Sequence, residues 1–454
     1  MILVEAGRWL ILLALIFSPW WYGGVILSAQ YILAYFCFIA AAFVYLGRFM
    51  QKERFPQIPF IPFLILLFLL LEGWGMTLNA AFALDTNTYH LFPLAQKLRG
   101  PGSFDRAASL HSMFMLSAFA GAFCIVADSS CDAIWRWRWI KVLTLNGLAV
   151  CLFGLIEKMT HVVWSEYGQN IWPFASFYYH GNAGAFINLI IPVTAAAIWY
   201  AFLGEKNRFW QSIAILAFVV STAAAFVNAS KASIVVAGMV LTLLFVAISL
   251  SIRKMRIAPS WIGGCFLIAI VLGVSVVFLA QTSGIQTTWM RWNQAWLAGE
   301  QIAVGRRQVA QICLNMGSEA GIFGFGPGVF ASLFPYAARV YPPAPGGVWQ
   351  HAHEDYLQTL IEWGWLGAIL WFILLWGGVA VSCFYGLAYH HQLRKRSKFL
   401  LLCVAISLAG CLFHALVDFP LQIPSLQLTV SILLGLAWGS LRWPRLYKAD
   451  EKRE

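Results

Sequence analysis

The residues best equipped for chemistry stand at 351–358, His351-Ala-His353-Glu354-Asp355-Tyr-Leu-Gln. A histidine suits general-base work on a hydroxyl because its ordinary pKa lies near neutrality. Leu357, Leu360 and Ile361 supply a helical face, so the spacing predicts a helix with the acidic pair in its first turn, where the helix dipole favours carboxylates, and His353 near the N-cap. Two other readings fit the same residues. His353 as an ordinary interfacial cap is one; a Zn²⁺ or Mg²⁺ site built from the His-x-His pair and its carboxylates is the other.

Other ionisable residues fall around this stretch. Arg306 and Arg307 precede a run in which Val309, Ile312, Cys313 and Met316 recur at helical spacing. Paired guanidiniums there could grip a diphosphate through bidentate hydrogen bonds, or touch lipid headgroups. Lys231, in Asn228-Ala-Ser230-Lys231, lies where two apolar stretches reverse, as an anion ligand or a snorkelling anchor. His414 and Asp418 are four apart and share a helical face, which suits a structural pair as well as a catalytic one. Gly324-Phe-Gly326-Pro-Gly328 follows no expected strand and has no trailing Lys-Ser/Thr, so it reads as a turn and not as a nucleotide loop.

The elements that must position these residues are membrane helices. Of 454 residues, 61% are hydrophobic and 11% charged, too few charges to cover a soluble surface. Crossing a bilayer takes about 20 mostly apolar residues, and such stretches lie near 1–21, 25–46, 58–79, 108–127, 139–158, 183–203, 210–228, 232–252, 260–280, 362–386, 399–417 and 422–441. The expected fold is an all-α integral membrane protein of about 12 helices. Residues 1–280 hold the first nine spans, 281–361 a large and partly helical loop, 362–441 the last three spans, and 442–454 a basic tail. The first segment lacks a small-residue cleavage site and is read as a retained helix.

A net charge of +11 does not point to nucleic acid, because 21 of the 30 Lys and Arg fall in alternate short loops and the two ends. By the positive-inside bias those segments are cytoplasmic, and the 281–361 loop faces the exterior or periplasm. Seven of the nine His map to that outer side, with Lys231, Arg291, Arg306, Arg307, Glu354, Asp355 and Asp418. The loop's Val309 stripe predicts an amphipathic helix on the membrane surface. Leu91, Leu94, Ala95 and Leu98 predict a second one in the 80–107 loop, and the Pro-Pro-Ala-Pro-Gly-Gly run at 342–347 predicts an irregular, mobile linker. Seven of nine Cys lie inside expected spans, and none shows metal-ligand spacing or an exported partner.

Together these stretches resemble the O-antigen ligase and polymerase superfamily over about 170–440. The resemblance is carried by Ser176-Phe-Tyr-Tyr-His180-Gly-Asn182, Ser230-Lys231, Gly305-Arg306 before Gly324-Phe-Gly326, His353-Glu-Asp-Tyr-Leu357 with Glu362 and Gly364, and His414 to Pro420. It implies a metal-independent, inverting glycosyltransferase of GT-C-like fold in the bacterial inner membrane, needing no cofactor. The donor would be an undecaprenyl-diphosphate-linked glycan, and the acceptor a lipid A core, polysaccharide or other hydroxyl. By position His353, Arg306 and Lys231 take the essential roles. Arg307, His351, Glu354, Asp355, His180, Asn182, Arg291, His414 and Asp418 surround the substrate. Lys231 stands where the family usually has Arg, and Glu354 where Asn is common. The competing expectation is a bicarbonate-like anion transporter of the same membrane family, which would want its charge near the bilayer midplane.

Overall fold

The computed structural model describes residues 2–85, 90–95, 99–160, 173–205, 207–228, 230–255, 299–341, 346, 348–387 and 393–444. Its helices are α1 (Ile2–Trp20), α2 (Leu27–Met50), α3 (Phe60–Leu78), α4 (Arg106–Ser129), α5 (Ala133–Thr160), α6 (His180–Tyr200), α7 (Arg208–Val227), α8 (Lys231–Met255), α9 (Gly299–Glu319), α10 (Phe330–Val340), α11 (Asp355–Leu387), α12 (Lys395–His414) and α13 (Pro424–Gly439). Eleven helical segments among the described residues are long and apolar enough to cross a bilayer. They correspond to eleven of the twelve expected spans, and the chain is an all-α integral membrane protein. The span expected at 260–280 lies outside the described residues, as do Arg291 and most of the 342–347 linker.

The centre of the bundle is α6, α12 and α13, whose spanning windows are 83% buried against 33% for α2 and α8. Lipid gives helices no hydrophobic reason to associate, so close backbone approach and interhelical hydrogen bonds hold them. Gly7 of α1 lies against Ala40 and Val44 of α2, and Gly47 of α2 against Leu3 and Val4, contacts that a side chain would prevent. The Asn188 amide donates to the Ser233 carbonyl at 3.0 Å, tying α6 to α8, and the Ser407 hydroxyl donates to the Leu189 carbonyl at 2.8 Å, tying α12 to α6.

One end of the bundle gathers basic residues. Glu5 pairs with Arg8 at 3.0 Å and Arg138 at 3.3 Å, and Asp128 with Arg48. Arg138 also lies over the Trp135 ring and Arg136 over Trp443. The first, second and fifth spans thus bring basic residues to the same end, where the fourth contributes Asp128 and the C-terminal segment Trp443, as alternating loops require.

The opposite end carries a second, smaller core. Val309, Ile312, Cys313 and Met316 of α9 pack with Phe330, Leu333 and Phe334 of α10 and with Ile361 at the start of α11. The expected amphipathic helix exists and is longer than its four-residue stripe. That stripe is covered by protein, not by the membrane surface. The helix expected in the 80–107 loop gives way to an antiparallel hairpin, β1 (Phe82–Asp85) paired with β2 (His90–Pro93), with Leu84 opposite Leu91. The i, i+3, i+4 spacing there was coincidental: Pro93 ends the strand, and Ala81 accepts a hydrogen bond from Leu94.

α11 is broken near its beginning. Gly364 has φ +62° and ψ −169°, and residues 321–326 pass through the gap. Trp365 and Leu366 donate to the carbonyls of Gly321 and Ile322, while Phe325 and Gly326 donate to those of Ile361 and Glu362, all at 2.9–3.1 Å. Groups freed by the break are therefore re-satisfied, as burial demands. The glycine-rich stretch is a turn, as expected, with Gly324, Gly326 and Gly328 at positive φ. Glu362 anchors it by accepting the N–H of Gly328 at 2.9 Å and of Phe330 at 3.3 Å.

Candidate active site

The loop-bearing end brings together three connections: the segment before α6, the segment before α11 and the turn between α12 and α13. At their meeting point Nδ1 of His353 stands 3.3 Å from Oδ1 of Asp418, within ion-pair reach though not aligned as a hydrogen bond. His353 has φ +55°, a left-handed conformation that a non-glycine residue adopts only where its surroundings impose it. Its ring meets Phe419 edge-on at 4.7 Å and Trp349 at 5.5 Å, and a quarter of the side chain remains exposed.

Asp418 is the hub. Burial by itself would push its carboxyl up. The contact with His353 and the charges of His414, His353 and Arg306 outweigh burial and hold it below the usual carboxylate range. Tyr179 closes the other side: its phenol neighbours both Asp418 and Arg306, and burial, then the Asp418 charge, push its pKa up. Arg306, Tyr179 and His353 thus gather around the Asp418 carboxylate.

Phe419 is the aromatic floor. Tyr179 stacks on it at 5.7 Å and His351 at 4.5 Å. Burial, followed by the neighbouring charge of His353, pushes His351 down to about 4, so its imidazole is neutral near pH 7. It neighbours Gln358, whose carbonyl accepts the Ala352 N–H at 3.1 Å. His351 is thus a fixed neighbour of His353.

The remaining expected residues divide into those beside the site and those committed to scaffolding. Arg306 and Arg307 are exposed on α9, and of the two Arg306 is the neighbour of Tyr179 and Asp418. Lys231 is exposed at the first turn of α8, and just before it the end of α7 is tied to α6 by the Asn228 amide donating to the His180 carbonyl at 2.8 Å. His180 opens α6 and meets Tyr179 edge-on at 4.7 Å, and Asn182, one turn into the helix, is buried. His414 is fully buried at the end of α12, with Nε2 3.9 Å from Oδ2 of Asp418, too far for a hydrogen bond.

The acidic pair behaves differently from expectation. Glu354, not His353, caps α11, accepting the N–H of Tyr356 at 3.2 Å and of Leu357 at 2.6 Å. Asp355 is buried and accepts the Leu421 N–H and the Gln422 side-chain amide, both at 2.9 Å. It holds the α12–α13 turn and is spent on that. Among the described residues no three His, Cys, Asp or Glu converge as metal ligands.

Tyr179 and Phe419 were missed as site residues by the sequence reading. Both adjoin residues it did single out, His180 and Asp418, and adjacency was the only available signal.

These features define a multi-pass helical membrane protein with a His–Asp–Tyr–Arg cluster at one end of its bundle. Residues 216–372 match the O-antigen ligase family model, in line with the superfamily that the motifs resemble. The match covers Lys231, Arg306, His351 and His353, and stops short of Tyr179 and Asp418. It suggests a membrane glycosyltransferase-like function on lipid-linked saccharides. No curated protein matches the chain.

Proposed function

We propose that the chain is an inverting, metal-independent glycosyltransferase. It moves a glycan from an undecaprenyl-diphosphate carrier to a lipid A core, polysaccharide or other hydroxyl acceptor at the periplasmic face of the inner membrane. The observation that carries this reading is the 3.3 Å contact between His353 and Asp418.

With Nδ1 against the carboxylate, Nε2 of His353 is the nitrogen left to take a proton. The acceptor hydroxyl gives its proton to Nε2, and Asp418 stabilises the imidazolium that forms. The acceptor oxygen bonds the anomeric carbon on the face opposite the leaving group. The bond from that carbon to the phosphate oxygen breaks, and the electron pair leaves on the diphosphate. Arg306 supplies charge to the departing diphosphate, with Arg307 and Lys231 as further cations at the same end. Three cations there substitute for a metal, since a diphosphate is already a good leaving group.

An anion carrier would want its charges at the midplane. His353, Asp418, Lys231 and Tyr179 instead adjoin helix ends, and Arg306 belongs to a helix outside the spanning set. That location supports the transferase over the transporter.

The test is release of undecaprenyl diphosphate by purified protein in liposomes, with an undecaprenyl-diphosphate glycan, candidate acceptors and EDTA. Wild-type turnover, abolished in His353→Ala and Arg306→Ala variants that still fold, is the expected result. Donor left intact with every acceptor, together with anion uptake into the liposomes, would replace this reading by the transporter.

A further inference from the structure

Beneath the turn that follows Phe419 lies a cavity of about 240 Å³, walled by α2, α4, α11 and α13. Gln30, His111, Ser112, Gln422 and Gln427 give it a polar end, and Leu116, Val430 and Leu434 continue it along the spans. Its one carboxylate, Glu362, is consumed by Gly328, Phe330 and Gln358. A charged headgroup would therefore find no free counter-charge among these walls, and its desolvation would go uncompensated.

Two buried polar atoms of lining residues have no partner: Nδ1 of His111 and the indole nitrogen of Trp371. Buried polar atoms in native proteins are nearly always paired, and an occupant bearing both a donor and an acceptor would pair these two. Their chemistry is complementary. The Gln30 amide nitrogen donates to the Val25 carbonyl at 2.8 Å, so its oxygen faces Nε2 of His111, which must carry the proton. In the neutral ring Nδ1 is then a bare acceptor, while the Trp371 indole is a donor. Hydroxyl groups suit both atoms, because a hydroxyl donates and accepts.

We propose that this cavity binds the uncharged, hydroxyl-bearing headgroup of a glycolipid, with its chains following the apolar wall into the bilayer. The volume is just below the roughly 300–1,000 Å³ usual for drug-sized ligands, as suits a single sugar ring. Leu421 and Gln422 line this cavity, and Asp418 and Phe419 of the same connection belong to the His353 cluster. An occupant therefore touches the turn that holds the general-base partner. The proposal does not rest on the transferase reading.

Native mass spectrometry of the full chain released from detergent tests it, with a monoglucosyl diacylglycerol, phosphatidylethanolamine and free glucose as separate probes. The glycolipid is expected to be retained at least about tenfold better than either comparator. Trp371→Phe, which keeps the ring and removes the N–H, and His111→Phe should each lower retention about tenfold, the equivalent of about 1.4 kcal/mol. Equal retention of phosphatidylethanolamine, equal binding of free glucose, or wild-type retention in Trp371→Phe would overturn the proposal. If His111→Phe fails to fold, Trp371→Phe alone decides. Retention without any transferase turnover removes the reaction and leaves this site; turnover without retention does the reverse.

Discussion

Nδ1 of His353 and Oδ1 of Asp418 lie 3.3 Å apart, the one residue before α11 and the other beyond α12. The carboxylate is 5% exposed and held ionised by its neighbours, so it acts on the imidazole as a fixed charge. Asp418→Asn keeps the shape and removes that charge. On the transferase reading its turnover should fall about 100-fold or more, with the KM for the lipid-linked donor changed little, because the charge matters when the imidazolium forms. Steady-state kinetics in liposomes measure it, and a loss confined to KM would assign Asp418 to binding instead.

Tyr179 neighbours both Arg306 and the same carboxylate. Tyr179→Phe leaves the ring stacked on Phe419 at 5.7 Å and deletes only the hydroxyl. A hydrogen bond to a charged group is worth about 1.5–3 kcal/mol, so turnover should drop about tenfold or more. The elution profile of the solubilised protein should not change. Unaltered turnover would mean that Arg306 and Asp418 act without the phenol between them.

His351 makes the folded state sensitive to acid. Its pKa is pushed down to about 4 by burial from an ordinary 6.5, so between those values the unfolded chain binds a proton that the folded chain refuses. Stability therefore rises with pH across that window and falls as pH drops from 6.5 to 4, by on the order of 3 kcal/mol. Asp418, with its lowered pKa, contributes stability that is lost only at more acid pH. Thermal unfolding in lipid nanodiscs from pH 4 to 7 should show a shallower dependence for His351→Gln than for wild type. Parallel curves would sink the assignment.

What the sequence made legible follows from the kind of signal each feature leaves. Spans are written in composition, and eleven of the twelve expected ones are present among the described residues. His353, Arg306 and the His414–Asp418 pair stand out because charge beside a bilayer is costly. The true partner of Asp418 did not stand out: spacing pointed to His414, which lies 3.9 Å away, while His353 comes closer from the segment before α11. Asp355 resembled a ligand, but only the packed turn reveals Leu421 and Gln422 as its partners. The hairpin at 82–93 was misread because four apolar residues in a short loop fit a helical period as readily as a strand.

The break in α11 was equally invisible, since Trp-Gly-Trp within an apolar run reads as uninterrupted helix. It carries the sharpest stability prediction. A Cβ on Gly364 would stand 2.4 Å from the Gly324 nitrogen and from the Ile322 carbonyl oxygen, and its φ of +62° with extended ψ is disfavoured for any side chain. The obstructing atoms are backbone and cannot rotate away. Relief would require residues 321–326 to leave the gap, exposing amides and carbonyls on both strands of the crossing. Gly364→Ala should therefore cost more than about 3 kcal/mol and deplete folded, monodisperse protein. Gly75→Ala is the control, because nothing lies within 4 Å of its added carbon and alanine is the better helix former. Fluorescence-detected size exclusion with a thermal ramp compares the two. Equal midpoints for Gly364→Ala and wild type would mean that the crossing at Gly324 is not what holds α11 in its broken form.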